Sequence, residues 1–164
     1  EGLDSRVVPA YLTDRNILQE PAWNRGDRQK MLKGARQDDC LMARVETAGP
    51  ERIQGYSVVL GDDNACYEKY LLLLPCAVED GVAAQTGQSI WHMQLQPAYR
   101  QELEENLPDQ KNVALGGFCV LREGEQLPAG NYTIAVLVVN RVSKLKLWNT
   151  TGKYLTVELP AAKE

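Results

Sequence analysis

VALGGFCVLREGEQLPAGNYTIAVLVVNRVSKLKLWNTTGKYLTVEL, from Val113 to Leu159, is the stretch whose reading decides the fold. It divides into strand-like runs separated by turn residues, and its clearest run is Tyr132 to Val139. Strand side chains alternate between faces, so Tyr132, Ile134, Val136 and Val138 share one face, and Thr133, Ala135, Leu137 and Val139 the other. Both sets are almost wholly apolar. Such a strand belongs in the middle of a sheet, covered on both sides. Leu127-Pro128-Ala129-Gly130 precedes it, with proline where a type I turn wants a fixed φ and glycine at the fourth position.

The same alternation continues outward. Leu41 to Glu46 reads as a strand that Gly49-Pro50 ends, and Ile53 to Leu60 reads as another. Gly61-Asp62-Asp63-Asn64 looks like a hairpin turn returning the chain as Ala65 to Leu74, which Pro75 stops. Gly81 to Gly87 reads as a loop, and Ser89 to Leu95 alternates again. One helix is expected, with Pro97 at its first position and Tyr99, Leu103 and Leu107 as its apolar stripe. Asn106 and Pro108 end it, and Glu102, Glu104 and Glu105 face solvent. Residues 1–37 read as an irregular or edge segment packed on the domain. Within it, Val7 to Leu12 is an edge strand, Trp23 a buried anchor, and Asp27 the cap of a short helix reaching towards Arg36. Residues 38–164 carry the body. About seven to nine strands with turn signals between them indicate an all-β fold, an antiparallel β-sandwich with one short helix. Periodicity leaves immunoglobulin-like and jelly-roll strand orders open.

Length and charge narrow the function classes. The chain has 164 residues, 44% hydrophobic and 24% charged, which suits a single globular domain. The apolar run Tyr70 to Pro75 is far short of the roughly 20 residues that cross a bilayer. Contact with a membrane is therefore expected only through a flanking segment. No secretory leader is recognisable, and Glu1-Gly2-Leu3 resembles a processing edge, so the chain is expected to be mature, excised or trimmed. The net charge is −4, with residues 1–36 at +2 and the rest at −6. An acidic body offers no footprint for nucleic acid.

The cysteines are Cys40, Cys66, Cys76 and Cys119, without a CxxC pair, and His92 is the single histidine. A tetrahedral zinc site has no basis in that set, and no cofactor is indicated. Three disulfide connectivities are possible, and scattered cysteines more often act as small buried hydrophobes.

Three segments carry a resemblance: Gln96-Pro97-Ala98-Tyr99-Arg100, then Asn112 to Phe118, then Leu127-Pro128-Ala129-Gly130-Asn131-Tyr132-Thr133-Ile134. Together the chain resembles the extracytoplasmic β-sandwich domains of Firmicute membrane and cell-envelope proteins, some fused to glycosyltransferases. The resemblance covers about residues 55–159. The acidic segment after Pro97 and the four cysteines depart from it. It implies an accessory domain outside the cytoplasm and brings no catalytic residues.

Candidate chemistry is sparse. Asp38-Asp39, Asp62-Asp63 and the Glu102, Glu104, Glu105 group are the neighbouring carboxylates, but adjacent strand residues face opposite ways and charged side chains are mostly solvated. Nucleophilic catalysis would have to use His92, which alternates in facing with Trp91 and Met93. Gly61 to Asn64 gathers oxygen ligands in a turn without the spacing of an EF-hand. Asn131 and Asn149 begin N-glycosylation acceptor patterns. A sugar-binding reading uses Trp148, Trp91, Trp23 and Tyr154, with Tyr11, Tyr56, Tyr67 and Tyr70 as further aromatic sources. Trp148 leads, because Asn149-Thr150-Thr151-Gly152 reads as a hairpin turn that would leave its ring exposed. The expected function is a non-enzymatic extracytoplasmic module that binds a protein partner or positions a cell-envelope enzyme. A carbohydrate-binding module for cell-wall glycan is the alternative.

Overall fold

The structure is a computed structural model, and it describes residues 18–79 and 82–158. The Val7 to Leu12 segment, Tyr11 and Leu159 lie outside them. Two sheets form the fold, as the alternation requires. The smaller is built from β1 (Leu18–Gln19), β4 (Leu41–Ala48), β5 (Arg52–Val59) and β9 (Gly117–Leu121), in the order β1-β9-β5-β4. The larger holds β2 (Asn24–Asp27), β3 (Ala35–Gln37), β6 (Tyr67–Glu79), β8 (Ser89–Gln94), β10 (Gly130–Asn140) and β11 (Lys146–Val157). Its order is β2-β8-β6-β10-β11-β3, with β7 (Val82–Gln85) also paired to β6. Pairing is antiparallel except for the two short joins β1–β9 and β3–β11. The fold class is all-β and sandwich-like, with two short helices, α1 (Arg28–Met31), which follows Asp27 but ends short of Arg36, and α2 (Gln101–Asn106).

Strand β10 sits at the centre of the larger sheet, between β6 and β11. Its faces divide as the alternation requires. Tyr132, Ile134, Val136 and Val138 join the core between the sheets, with Leu41, Ile53, Leu71, Leu73 and Phe118. Ala135 and Leu137 join Leu72, Leu74 and Ile90 in a second cluster on the outer face. Burying an aliphatic side chain of this size stabilises by about 1.5–3 kcal/mol, so both faces matter to the fold.

The outer cluster needs a cover, and residues 28–34 supply it. Strand β2 lies at one edge of the larger sheet and β3 at the other, so the chain between them must cross its outer face. Met31, Leu32 and Ala35 pack on the outer cluster as it does so. Asp27 caps α1 through its side chain, accepting from Lys30 N at 3.1 Å, and the helix stops within one turn. Gly34, at φ 75°, turns the segment into β3. The Lys146 ammonium donates to the Met31 and Lys33 carbonyls at 3.1 and 2.9 Å and fastens the end of the strap.

Several expected connections differ. Strands β5 and β6 do not form a hairpin: β5 pairs with β4 and β9, while β6 belongs to the other sheet. Asn64 is the reason. Its buried amide accepts from Val59 N at 2.7 Å and donates to Val59 O at 3.1 Å, satisfying the backbone at the end of β5. The chain then makes a 3-10 turn over Asn64–Cys66 and crosses to the second sheet.

Pro75 does not stop β6, which runs to Glu79. The Pro75 carbonyl accepts from Thr86 N, so its missing N–H faces the same edge, where the neighbour changes from β8 to β7. Within the expected Gly81–Gly87 loop, Val82–Gln85 is strand β7.

Leu127–Gly130 is a bend without a turn hydrogen bond, held instead by the Tyr132 hydroxyl donating to Pro128 O at 2.6 Å. A tyrosine tied back to the backbone upstream is a corner device of β-sandwiches. The four cysteines are free thiols, with Cys76 and Cys119 buried.

Asn64→Ala removes the Val59 bonds together with donation to Asp62 O and Lys111 O. At about 1 kcal/mol per bond, urea unfolding is expected to show a loss of roughly 2–4 kcal/mol. A loss below 0.5 kcal/mol, on the same order as surface noise, would contradict the role given to this side chain.

Candidate functional site

The residues nominated from sequence do not converge. Trp148 stands opposite Leu137 on the outer face and packs, half-buried, on the cluster beneath the strap. Trp91 faces the interior instead, against the core between the sheets, as does Trp23. Tyr154 lies across from Thr133, 39% exposed, beside Pro50 and Arg122. These four rings form no common platform. Asn149 to Gly152 is not a hairpin turn but part of β11, where a bulge sets Thr151, Gly152 and Lys153 against Ile134 alone. Gly152, at φ 77°, provides the backbone twist, and the hairpin turn proper is Asn140 to Leu145.

The other aromatic sources are committed elsewhere. The Tyr67 hydroxyl donates to Asp62, that of Tyr70 donates to Glu68, and the Tyr56 ring lies under the Arg100 guanidinium at 5.4 Å.

The carboxylates are engaged as well. Asp38 accepts from Cys40 N and Arg36 Nε, both at 2.9 Å, and the Cys40 N–H leads in holding its carboxyl below the usual range. Asp39 accepts from Asn149 at 3.3 Å. In the Gly61–Asn64 turn, Asp62 accepts from Tyr67 and from Asp63 N, while Asp63 accepts from Asn112 and Ala65 N. Their acceptors serve the turn itself, and among the described residues no His, Cys, Asp and Glu group has the geometry to hold a metal ion.

Glu102, Glu104 and Glu105 are exposed on α2. Tyr99 precedes α2 and is 47% exposed, because Ala98 bridges to Gly117 before the helix begins. His92 lies on the outer face, so close to Gly26 that a Cβ there would meet its Cδ2 at 2.9 Å, and burial pushes its pKa down. The Asn149 amide is buried and donates to Leu41 O at 3.0 Å as well as to Asp39, which leaves its acceptor pattern closed to modification.

A different residue marks the candidate site. In β6, Tyr67, Lys69, Leu71 and Leu73 take alternate positions, and Tyr67, Leu71 and Leu73 all belong to the interior core. Lys69 therefore points between the sheets, paired across the strand to fully buried Val138. Its ammonium reaches the opposite sheet and donates to the Ser57 carbonyl at 2.6 Å. Two further N–H donors have no acceptor at hydrogen-bond distance among the described residues. The residue keeps some exposure through a cavity, yet the protein packed around it pushes the ammonium from 10.5 down to about 8. Desolvation is the only cause, so no nearby carboxylate offsets it. Glu68, the next residue, turns to the other face, accepting from Tyr70 at 3.0 Å and lying 3.8 Å from Arg141.

The cavity holding Lys69 has a volume of about 180 Å³. It opens at the end of the sandwich where β6 and β9 begin and β8 ends. Leu95 and Phe118 wall it, Pro97 and Leu115 form its apolar rim, and Gln94 and Gln96 add amides. Leu115 is 46% exposed, an apolar residue left at the mouth. Ser57, whose carbonyl holds Lys69, also has a buried hydroxyl without a partner among the described residues.

The arrangement can bind, since it pairs unspent donors with an apolar lining, the mixed character of small-ligand sites. Sequence reading placed Lys69 inside a candidate strand without weighing its facing. The signal was its position two residues from Leu71, in a strand apolar on both faces. Neither a family model, a curated protein nor a solved structure matches the chain.

Because the folded pKa lies below the unfolded one, Lys69 lowers stability while it is charged. That cost is fully present below about pH 8 and fades as pH rises towards 10.5. Lys69→Met is thus expected to raise stability at pH 7 by on the order of 1–3 kcal/mol, after allowing for the lost Ser57 bond. The gain over wild type should shrink as denaturation is repeated at higher pH. A destabilised Lys69→Met, or a gain independent of pH, would contradict the assignment.

Proposed function

We propose that this chain is a non-enzymatic β-sandwich module that acts by binding, and that its ligand enters the cavity around Lys69. The observation carrying this reading is Lys69, which lines an open-ended cavity while its buried ammonium has, among the described residues, one protein acceptor and no counter-charge. A buried cation without a partner costs stability, and departures of this kind from core chemistry concentrate at functional sites. The candidate carboxylates support binding over hydrolysis, since Asp38, Asp62 and Asp63 already accept hydrogen bonds within their own turns. An extracytoplasmic position beside a cell-envelope protein, reached through flanking sequence, belongs to the same proposal. It rests on the Gln96–Arg100, Asn112–Phe118 and Leu127–Ile134 resemblance.

Amide chemical-shift mapping with a fragment panel of acids, amines, neutral amides and cell-wall sugars tests the reading. Perturbations are expected at Leu95, Leu115, Gly116 and Gly117. Leu115→Trp, which places a larger ring at an already exposed mouth, should weaken binding about tenfold or more, on the order of 1.4 kcal/mol, at unchanged melting temperature. Saturable shifts at the Trp148 or Trp91 indole with a sugar would instead favour the carbohydrate-binding alternative.

A further inference from the structure

Resting on the reading of the Lys69 cavity as a binding site, the geometry points to its ligand class: a small organic monocarboxylate, whose carboxylate pairs with Lys69 and whose apolar body lies against Leu95, Phe118 and Leu115. The ammonium has no counter-charge among the described residues. Its one protein partner is a neutral carbonyl, and the charged or titratable groups lining the same cavity are Tyr67, Glu68 and Arg141. None of them supplies the counter-charge. The Tyr67 hydroxyl is spent on Asp62, and the Glu68 carboxylate faces Tyr70 and Arg141. Among the described residues, the opposing sheet contributes the Ser57 backbone, Gly117 and Phe118, and the end of β8 contributes Gln94, Leu95 and Gln96, none of them charged. An anion entering from solvent would be the first negative group to reach Lys69, and a charge-assisted bond there is stronger than a neutral one.

The same inventory selects among anions. A phosphate dianion presents three strong acceptor oxygens and is met elsewhere by several donors. Here Arg141 is turned away, donating to Ala65 O at 2.7 Å as well as lying near Glu68. One ammonium therefore faces the ligand, and beyond it the walls combine Leu95, Phe118, Pro97 and Leu115 with the neutral amides of Gln94 and Gln96. A cavity of about 180 Å³ admits a short acid rather than a polymer segment. An amine is disfavoured by the like charge, and a neutral polar molecule would leave the ammonium without a counter-ion.

Such binding is coupled to protonation. The carboxylate recognises the charged form of Lys69, which is depleted above about pH 8 in the free protein. Below that pH the affinity is expected to be flat. Between about pH 6.5 and pH 9.5 it should fall roughly thirtyfold, following the fraction of charged lysine.

The test uses the whole chain with hexanoate and its neutral counterpart hexanamide, read by amide chemical shifts at both pH values. Hexanoate should saturate in the millimolar range at the lower pH, shift Leu95, Leu115 and Gly117, and weaken about thirtyfold at the higher pH. Hexanamide should bind at least tenfold more weakly than hexanoate at the lower pH. Lys69→Met, expected to be the more stable protein, should lose the preference for hexanoate while keeping its folded spectrum. Equal binding of acid and amide without pH dependence would overturn the acid assignment and leave a binding cavity standing. No perturbation at the cavity by any probe would overturn both.

Discussion

Strand β10 must be covered on both faces, and the rest of the structure follows from that constraint. Ile134, Val136 and Val138 need the smaller sheet on one side, while Ala135 and Leu137 need a second cover on the other. A two-sheet sandwich ordinarily leaves its outer faces to solvent. Here the outer face is apolar at Leu72, Leu74 and Ile90 as well, and residues 28–34 cross it as a strap. Its anchoring is distributed: β2 joins β8 at one edge, β3 joins β11 at the other, and Lys146 grips the backbone between them.

Against that background Lys69 stands out. The strand that carries it is buried at its centre, where Leu71 to Leu74 are all at or below 1% exposure. Filling position 69 with an apolar side chain would have continued the pattern. The lysine instead reaches across the sandwich to a backbone carbonyl, at an end of the core where a cavity opens. A desolvated ammonium gains about one hydrogen bond and loses much of its hydration, which is a poor exchange for stability alone. Under the proposed reading, a negative ligand would give the exchange a purpose. The same loss of hydration accounts for its lowered pKa.

Much of the fold was legible because it is local. Strands β4, β5, β8 and β10 are written in their own alternation, and the division of β10 into two apolar faces follows from Tyr132 to Val139 without reference to any neighbour. What sequence reading missed was decided by single side chains acting over distance. Gly61 to Asn64 has hairpin-turn composition, yet Asn64 binds both backbone groups of Val59 and sends the chain to the other sheet. Asn149 to Gly152 also has turn composition, yet it forms a bulge inside β11 that Thr151 stabilises by donating to Ile134 O at 2.8 Å. Pro75 was placed at a strand end because an absent N–H usually breaks a ladder, and it is tolerated where β8 gives way to β7. Tyr99 missed the helix because Ala98 pairs with Gly117 first. The nominated aromatics failed to meet for a plainer reason. Trp91 and Trp148 occupy opposite faces of one sheet, and facing across a sheet depends on register that composition does not report.

The measurement that bears most directly on this account is the titration of the Lys69 side chain itself, followed by NMR of its Cε and Nζ in the folded protein. A midpoint near pH 8 would show an ammonium held between the sheets without a counter-charge. A midpoint near 10.5, the ordinary lysine value, would place the charge in solvent and contradict the central claim.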